Sequence, residues 1–458
     1  MELGTQTSTW RPNRRLALLF AGAVVGVGLV TRFLFIWFGA FVLVVGLSVL
    51  GYRQYRAGKY LAALLIAAFL VRAAIVLLNS QLHVLAQPPI SVEHSENAAA
   101  LADLWTHGQF FDGASIPSRT RRFVAYVLAP FYVFLGSWEV AGELAIAGFG
   151  TLIGYVAYKL ATEVTTDRNA VLAAGIVVFW PSILYRSIVI QREVLVALTM
   201  LTMLWIALQW TDRERPRDWT QVWPWLRDIA ALAVIAVVIY LARRENVAII
   251  AVTFAAALTL RYRRSPRSVG LVGLLLVPPF AYLALNIGKL TGVGTAISPR
   301  ILDRYAQGRN KGATTYLTDL HYESWFDVLL YLPLKVFYYL FSPMPWQVNG
   351  VADLLAGVSG WAMAVAVLVA VPGFFRARGD IAKRFTMLAY AASGIVAYAI
   401  IELNAGAAFR RRIQFVPVIL VFAAIGLGTL LIRLDDRRSS TTEPTPPDSE
   451  NTNPSNVD

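Results

Sequence analysis

The sequence predicts an all-α polytopic integral membrane protein with about twelve transmembrane helices. Three observations carry that prediction. Apolar residues make up 57% of the 458 and mean hydropathy is +0.57, more than a soluble domain needs to fill its core. The apolar residues gather in runs of roughly 17–25, the length that crosses a bilayer as a helix. No stretch alternates apolar and polar residues as a barrel strand does. The chain has no cysteine, which excludes disulfides and thiolate metal sites. Its net charge of +13 is read as loop charge that orients the helices, not as a nucleic-acid surface.

Residues 1–58 read as an N-terminal membrane hairpin, Leu16–Val30 and Phe33–Leu50. The first run resembles a signal-peptide core. No small-residue cleavage site follows and a second apolar run comes at once, so it is expected to stay as an anchor. Residues 59–432 form the main membrane domain. Its spans are expected at Tyr60–Leu78, Val140–Leu160, Ala170–Leu184, Ile188–Leu208, Ile229–Ala242, Val247–Leu260 and Val269–Ile287, then Leu354–Phe374, Phe385–Ile401 and Ile413–Ile432. From Arg433 to Asp458 the chain is polar and ends in a Pro-rich stretch, a composition that cannot bury a core and predicts a disordered tail.

Short basic loops set the orientation. "YRQYRAGK" (52–59), "TDRERPRD" (211–218), "RYRRSPR" (261–267), "RARGDIAKR" (376–384) and "RLDDRR" (433–438) belong in the cytoplasm, and the tail with them. These assignments agree only if Phe123–Leu135 and Phe326–Phe341, which contain Pro130 and Pro333, do not cross. Both are expected as interfacial or re-entrant helices on the outer face. The polar loops 79–122 and 289–325 are then external and hold all four histidines, His83, His94, His107 and His321.

The first outer loop contains "PPISVEHSENAAALADLWTHGQFFDG" (88–113), which concentrates Glu93, His94, Glu96, Asp103, His107 and Asp112. A helix is expected to begin at Ser95 or Glu96, with Asp103 on its exposed face. His94 and Glu96 lie two apart, so one helix cannot present both on one face. No H-E-x-x-H or comparable spacing is present, so no metal ligand set and no cofactor are assigned. Basic residues break the positive-inside pattern at the outer helix ends and in the outer loops: Arg119, Arg121 and Arg122, Arg186 and Arg192, Arg243 and Arg244, Arg300, Arg304, Arg309 and Lys311, and Arg410, Arg411 and Arg412. A planar guanidinium suits a phosphate, and a lipid-linked phosphate is the natural anion at that depth. Acids facing such arginines across one cavity suit glycosyl transfer. A carboxylate takes the proton of an acceptor hydroxyl while the arginines stabilise the departing phosphate.

Several motifs, in order from about residue 60 to 432, resemble the type-C glycosyltransferases that use polyprenyl-phosphate sugars. Protein O-mannosyltransferases and lipid A aminoarabinose transferases are of this kind. Arg72 stands where the family has an arginine in the span before the first outer loop. "ENAAALADLWTHG" stands where it has an acid and a helix, with Glu93, His94 and Glu96 in place of the usual Asp. "APFYVFLG" (129–136), "NAVLAAGIVVFWPSILYRSIVIQREVLVAL", "IYLARRENVAII" and "AFRRRIQFVPVILVFAAIGL" follow in the family's order. The resemblance implies an inverting membrane enzyme with a dolichyl or undecaprenyl phosphate sugar as donor. It implies Glu96 or Glu93 as the catalytic base, and Arg243, Arg244, Arg410, Arg411 and Arg412 at the donor phosphate. Glu193, Arg192, His94 and Arg72 are assigned to substrate positioning. The active site is expected on the outer face of a cell membrane. The acceptor stays open between a protein hydroxyl, a lipid-linked glycan and a cell-wall polymer. A polymerase or ligase of lipid-pyrophosphate-linked oligosaccharides is the alternative, with a lipid-sugar flippase behind it.

Overall fold

Where an apolar run meets Pro, Gly or a short polar cap, the chain turns, and the computed structural model follows those marks closely. It describes residues 60–83, 87–109, 119–212, 219–262, 298–308, 314–344, 347 and 351–441. The expected spans Leu16–Val30, Phe33–Leu50 and Val269–Ile287, residues 442–458 and Asp112 lie outside the described residues. Among the described residues the structure is helical, with one isolated bridge, Thr315 to Asn404, and no strand.

The helices are α1 (Leu61–Leu82), α2 (Pro89–Thr106), α3 (Arg119–Leu135), α4 (Glu139–Thr162), α5 (Asp167–Val178), α6 (Pro181–Arg186), α7 (Arg192–Asp212), α8 (Trp219–Arg243), α9 (Val247–Tyr262), α10 (Pro299–Gln307), α11 (Trp325–Phe341), α12 (Val351–Arg376), α13 (Ile381–Ile401), α14 (Ala405–Arg411) and α15 (Val416–Thr441). Six helical runs among the described residues are long and apolar enough to cross a membrane, or seven if the pair Ala405–Gln414 and Val416–Leu430, bent by 67°, is one span. Three of the twelve expected spans lie outside the described residues, and the count of about twelve is not confirmed.

Two features lower the number within the described residues. The expected span Ala170–Leu184 is broken, because Pro181 holds Trp180 in an extended conformation and ends α5 at Val178. The run Val222–Tyr262 meets the criterion as a single 41-residue stretch, yet it folds back at Arg243, whose backbone leaves the helical region (φ −159°, ψ 81°). Trp210 near the end of α7 reaches Asp228 in α8 and Phe254 in α9, while Arg192 at the start of α7 bonds the carbonyl of Ala242. Thus α8 runs antiparallel to α7 and α9 parallel to it, the hairpin expected from Ile229–Ala242 and Val247–Leu260. The helix α7 remains a span but starts at Arg192 rather than Ile188: Ile188 and Val189 pack in an apolar cluster, Ile190 N–H bonds Ser91 and Gln191 lines the cavity described below. The segments expected not to cross form α3 and α11, and neither is among the span-length helices. At the C-terminal end α15 runs on to Thr441, where a polar tail was expected from Arg433.

Small residues set the packing of the bundle, as they do where lipid offers no hydrophobic drive to associate. A Cβ on Gly373 of α12 would collide with the carbonyl of Phe422 in α15, and one on Gly426 of α15 with the carbonyl of Val369 in α12. Gly154 of α4 gives the same close approach to Val178 at the end of α5. The buried core runs through α4, α5, α7, α13 and α15. Chain reversals bring α2, α3, α6, the α8–α9 turn, α10, α11 and α14 to one end of this bundle. The helix ends at Asp212, Tyr262 and Arg376 lie at the other.

Candidate functional site

Pro89 at the first helical position, preceded by an extended Pro88, starts α2 six or seven residues earlier than the sequence suggested. The acids and His94 therefore ride on a formed helix, not on its cap. One face of it is buried: Ser91, His94, Ser95, Ala98, Leu101 and Ala102, at the i, i+3, i+4 spacing of a packed helix. Two serines fix that face. Ser91 Oγ accepts from the backbone N–H of Ile190 at 3.0 Å, and Ser95 Oγ lies 2.7 Å from the Tyr132 hydroxyl of α3. Gln87, just before the helix, donates to Glu143 of α4.

The helical period then separates the acids. Glu93 is half-buried and paired with Arg121 of α3 at 2.5 Å. Glu96 is exposed on the face opposite His94. Asp103 is exposed and meets only the nearby His107, at 3.8 Å. His321 pairs instead with Asp303 at 3.1 Å.

His94 faces a cavity of about 180 Å³ lined also by Ile90, Arg121, Gln191, Arg192, Glu193 and Arg410. Arg192 and Glu193 open α7. Glu193 accepts from Arg243 at 2.9 Å and has Arg192 Nε at 3.8 Å. Gln191 is buried and accepts from Arg186 at 3.0 Å, whose guanidinium lies over the rings of Tyr185 and Phe409. Three arginines against one glutamate leave the lining positive. Burial pushes the His94 imidazole down to about 4; Glu193 opposes this, while Arg192 and Arg121 reinforce it. The ring is therefore neutral near pH 7, and its Nδ1 has no hydrogen-bond partner.

The five arginines assigned to the donor phosphate separate here. Consecutive residues on a helix point about 100° apart, so Arg410, Arg411 and Arg412 go three ways. Arg410 turns into the cavity. Arg411 pairs with the buried Glu402 and lies over Tyr398. Arg412 is fully buried and donates to the carbonyls of Leu340 and Ser342 at 2.6 and 2.9 Å, closing the end of α11. Arg243 is buried against Glu193, with Glu245 at 4.0 Å. Arg244 is half-buried in the 3-10 turn and does not line the cavity. Arg72 is committed elsewhere: it donates to Ser187 Oγ at 2.7 Å, to Ala68 O at 3.0 Å and to Val178 O at 2.5 Å, satisfying the carbonyl freed by the α5 break.

Of the sequence-assigned residues, the structure thus brings His94, Arg192, Glu193 and Arg410 together, with Glu93 one ion pair away. Gln191 was not singled out by sequence, since a neutral amide in an apolar run carries no signal. Arg121 was visible only as one of many misplaced charges. Among the described residues, no group of three His, Asp or Glu side chains is arranged to hold a metal ion.

No protein-family model matches this sequence, and no curated protein matches it. Among solved structures, the archaeal oligosaccharyltransferase AglB from Archaeoglobus fulgidus, in complex with an inhibitory peptide and a dolichol-phosphate, is similar with a TM-score of 0.48 at 14% identity, over 84% of this chain and 52% of that one. The chain spans about half the length of that structure. At that TM-score and identity the likeness assigns no function.

Proposed function

We propose that this protein is a membrane glycosyltransferase that moves a sugar from a polyprenyl phosphate, dolichyl or undecaprenyl, to an acceptor hydroxyl at the outer membrane face, with inversion. One observation carries the reading: Arg121, Arg192 and Arg410, from three separate elements, face one small cavity in which Glu193 is the lining carboxylate. Guanidinium groups held before the ligand arrives suit a phosphate whose charge grows as it leaves. The ordered motifs that resemble type-C enzymes support the same assignment.

Glu93 is the proposed base, because its partner Arg121 lines the cavity while Glu96 turns away. The acceptor oxygen bonds to the sugar's anomeric carbon as the bond to the phosphate oxygen breaks. The hydroxyl proton passes to the Glu93 carboxylate, and the electron pair leaves with the phosphate. Arg243, Arg411 and Arg412 act as positioning residues that hold Glu193, α13 and α11 in place. The site end is assigned to the outside because the helix ends at Asp212, Tyr262 and Arg376, which the sequence's basic stretches adjoin, lie at the other; on this reading Thr441 is cytoplasmic.

The test is to incubate the purified protein with labelled polyprenyl-phosphate hexoses and a panel of acceptors. Glu93→Gln is expected to lower transfer at least ~100-fold while donor still binds, and Glu96→Gln to leave transfer near wild type. Full activity in Glu93→Gln would remove the proposed base. Failure of every polyprenyl-phosphate lipid to bind would remove the whole reading.

A further inference from the structure

Gln191 lines the cavity with little surface to spare, being 3% exposed. Its carboxamide is fixed in one orientation. Arg186 Nη1 lies 3.0 Å from one of the two amide heads, and a guanidinium only donates, so that head is the oxygen. Arg186 is held over the rings of Tyr185 and Phe409 and is not part of the cavity wall. The amide oxygen therefore points back into the protein, and the nitrogen takes the other arm of the planar group. Among the described residues that nitrogen, Nε2, has no hydrogen-bond partner. It is not sealed in the interior as His94 Nδ1 is, and the surface that Gln191 keeps opens on the cavity. The chain thus holds a neutral donor among Arg121, Arg192 and Arg410. An amide nitrogen bonds only to an acceptor. The carboxylate in the lining, Glu193, is engaged by Arg243 and Arg192, so the acceptor has to come with a ligand. The Arg186 charge on the amide oxygen polarises the group and strengthens what its N–H can give, as hydrogen bonds in series do. A sugar hydroxyl can accept, but a charged oxygen forms the stronger bond, and the three arginines draw a phosphate to this same space.

We propose that Gln191 Nε2 donates to an oxygen of the donor's phosphate, as a fourth phosphate ligand beside Arg121, Arg192 and Arg410. This rests on the cavity being the site of a polyprenyl phosphate. The amide adds a directed hydrogen bond without adding charge to a set that already holds three guanidinium groups. Arg186 does not touch the phosphate; it fixes which way the amide faces.

The test measures binding of decaprenyl phosphate and of a decaprenyl-phosphoryl hexose to the full chain in nanodiscs, with thermal unfolding on the same preparations. Gln191→Met keeps the length and neutrality of the side chain and removes the donor. It is expected to weaken both lipids by roughly tenfold or more. Gln191→Glu keeps an acceptor for Arg186, and with it that contact, but turns an oxygen towards the phosphate. It is expected to weaken both lipids at least as much, and it is the variant to read if Gln191→Met does not fold. The proposal is overturned if either folded variant binds bare decaprenyl phosphate as wild type does. Weakening of the sugar lipid alone overturns it too, because the amide would then meet the sugar. Arg410→Gln separates the amide from the cavity. A loss of affinity in Arg410→Gln with none at Gln191 defeats the amide only. If Arg410→Gln also binds as wild type does, or wild type binds no phosphate lipid, the assignment of the cavity falls and the proposal with it.

Discussion

Replacing Glu193 by glutamine removes the carboxylate that Arg243 meets at 2.9 Å and Arg192 at 3.8 Å. At an effective dielectric of about 20, the closer pair carries roughly 6 kcal/mol of gross attraction and the more distant about 4 kcal/mol. Both Glu193 and Arg243 are buried, so the cost of taking them out of water offsets much of that. Truncating one partner is a different matter, because the other charge stays buried without it, and such changes cost about 3–5 kcal/mol. Glu193→Gln and Arg243→Met are therefore each expected to destabilise the protein by about that amount in a dodecyl sulfate unfolding titration. The double variant is expected to recover at least ~2 kcal/mol relative to the summed single effects. Single losses below ~1 kcal/mol, or strict additivity, would refute the pair as a structural unit and return Arg243 to the set of ligand-binding arginines.

Arg410→Gln is expected to weaken binding of decaprenyl phosphate by about tenfold or more and to leave stability within ~0.5 kcal/mol of wild type, read by lipid-binding and thermal assays on one preparation. Arg72→Ala removes all three bonds at the α5 break and is expected to cost about 1–3 kcal/mol for each acceptor left unsatisfied, seen as loss of monodisperse protein on size exclusion, while the folded remainder binds lipid normally. Gly373→Ala forces a Cβ onto the Phe422 carbonyl and is expected to destabilise the α12–α15 contact by ~1–3 kcal/mol or more, measured by thermal unfolding. The His94 imidazole lies at about 4 when folded against 6.5 ordinarily, so the unfolded chain binds more protons between those values. Stability should then fall as pH drops through that window, by up to ~3 kcal/mol, and His94→Leu should remove this component from the pH–stability curve.

The helical class and the α8–α9 hairpin were legible because each depends on local periodicity or a length limit. The site was legible in part. His94 and Glu96 were separable from their spacing alone, because two residues turn a helix by about 200°. What sequence did not convey was which of the two faces inward, since that depends on Ser91 finding Ile190 and Ser95 finding Tyr132, partners far away in the chain. The run Arg410–Arg412 suggested a single basic patch, but side chains 100° apart serve a cavity, a buried Glu402 and the end of α11. Arg72 and Arg243 were conspicuous as charges in apolar surroundings. Sequence cannot distinguish a charge kept for a ligand from one kept for Val178 or Glu193.

The phosphate position is the most direct measurement. Cryo-electron microscopy of the full chain in nanodiscs with decaprenyl phosphate is expected to show phosphate density within hydrogen-bond distance of Arg121, Arg192 and Arg410, below His94 and beside the Glu93–Arg121 pair. Phosphate density at the opposite end of the bundle, or at Arg411 and Arg412 with the cavity empty, would contradict it.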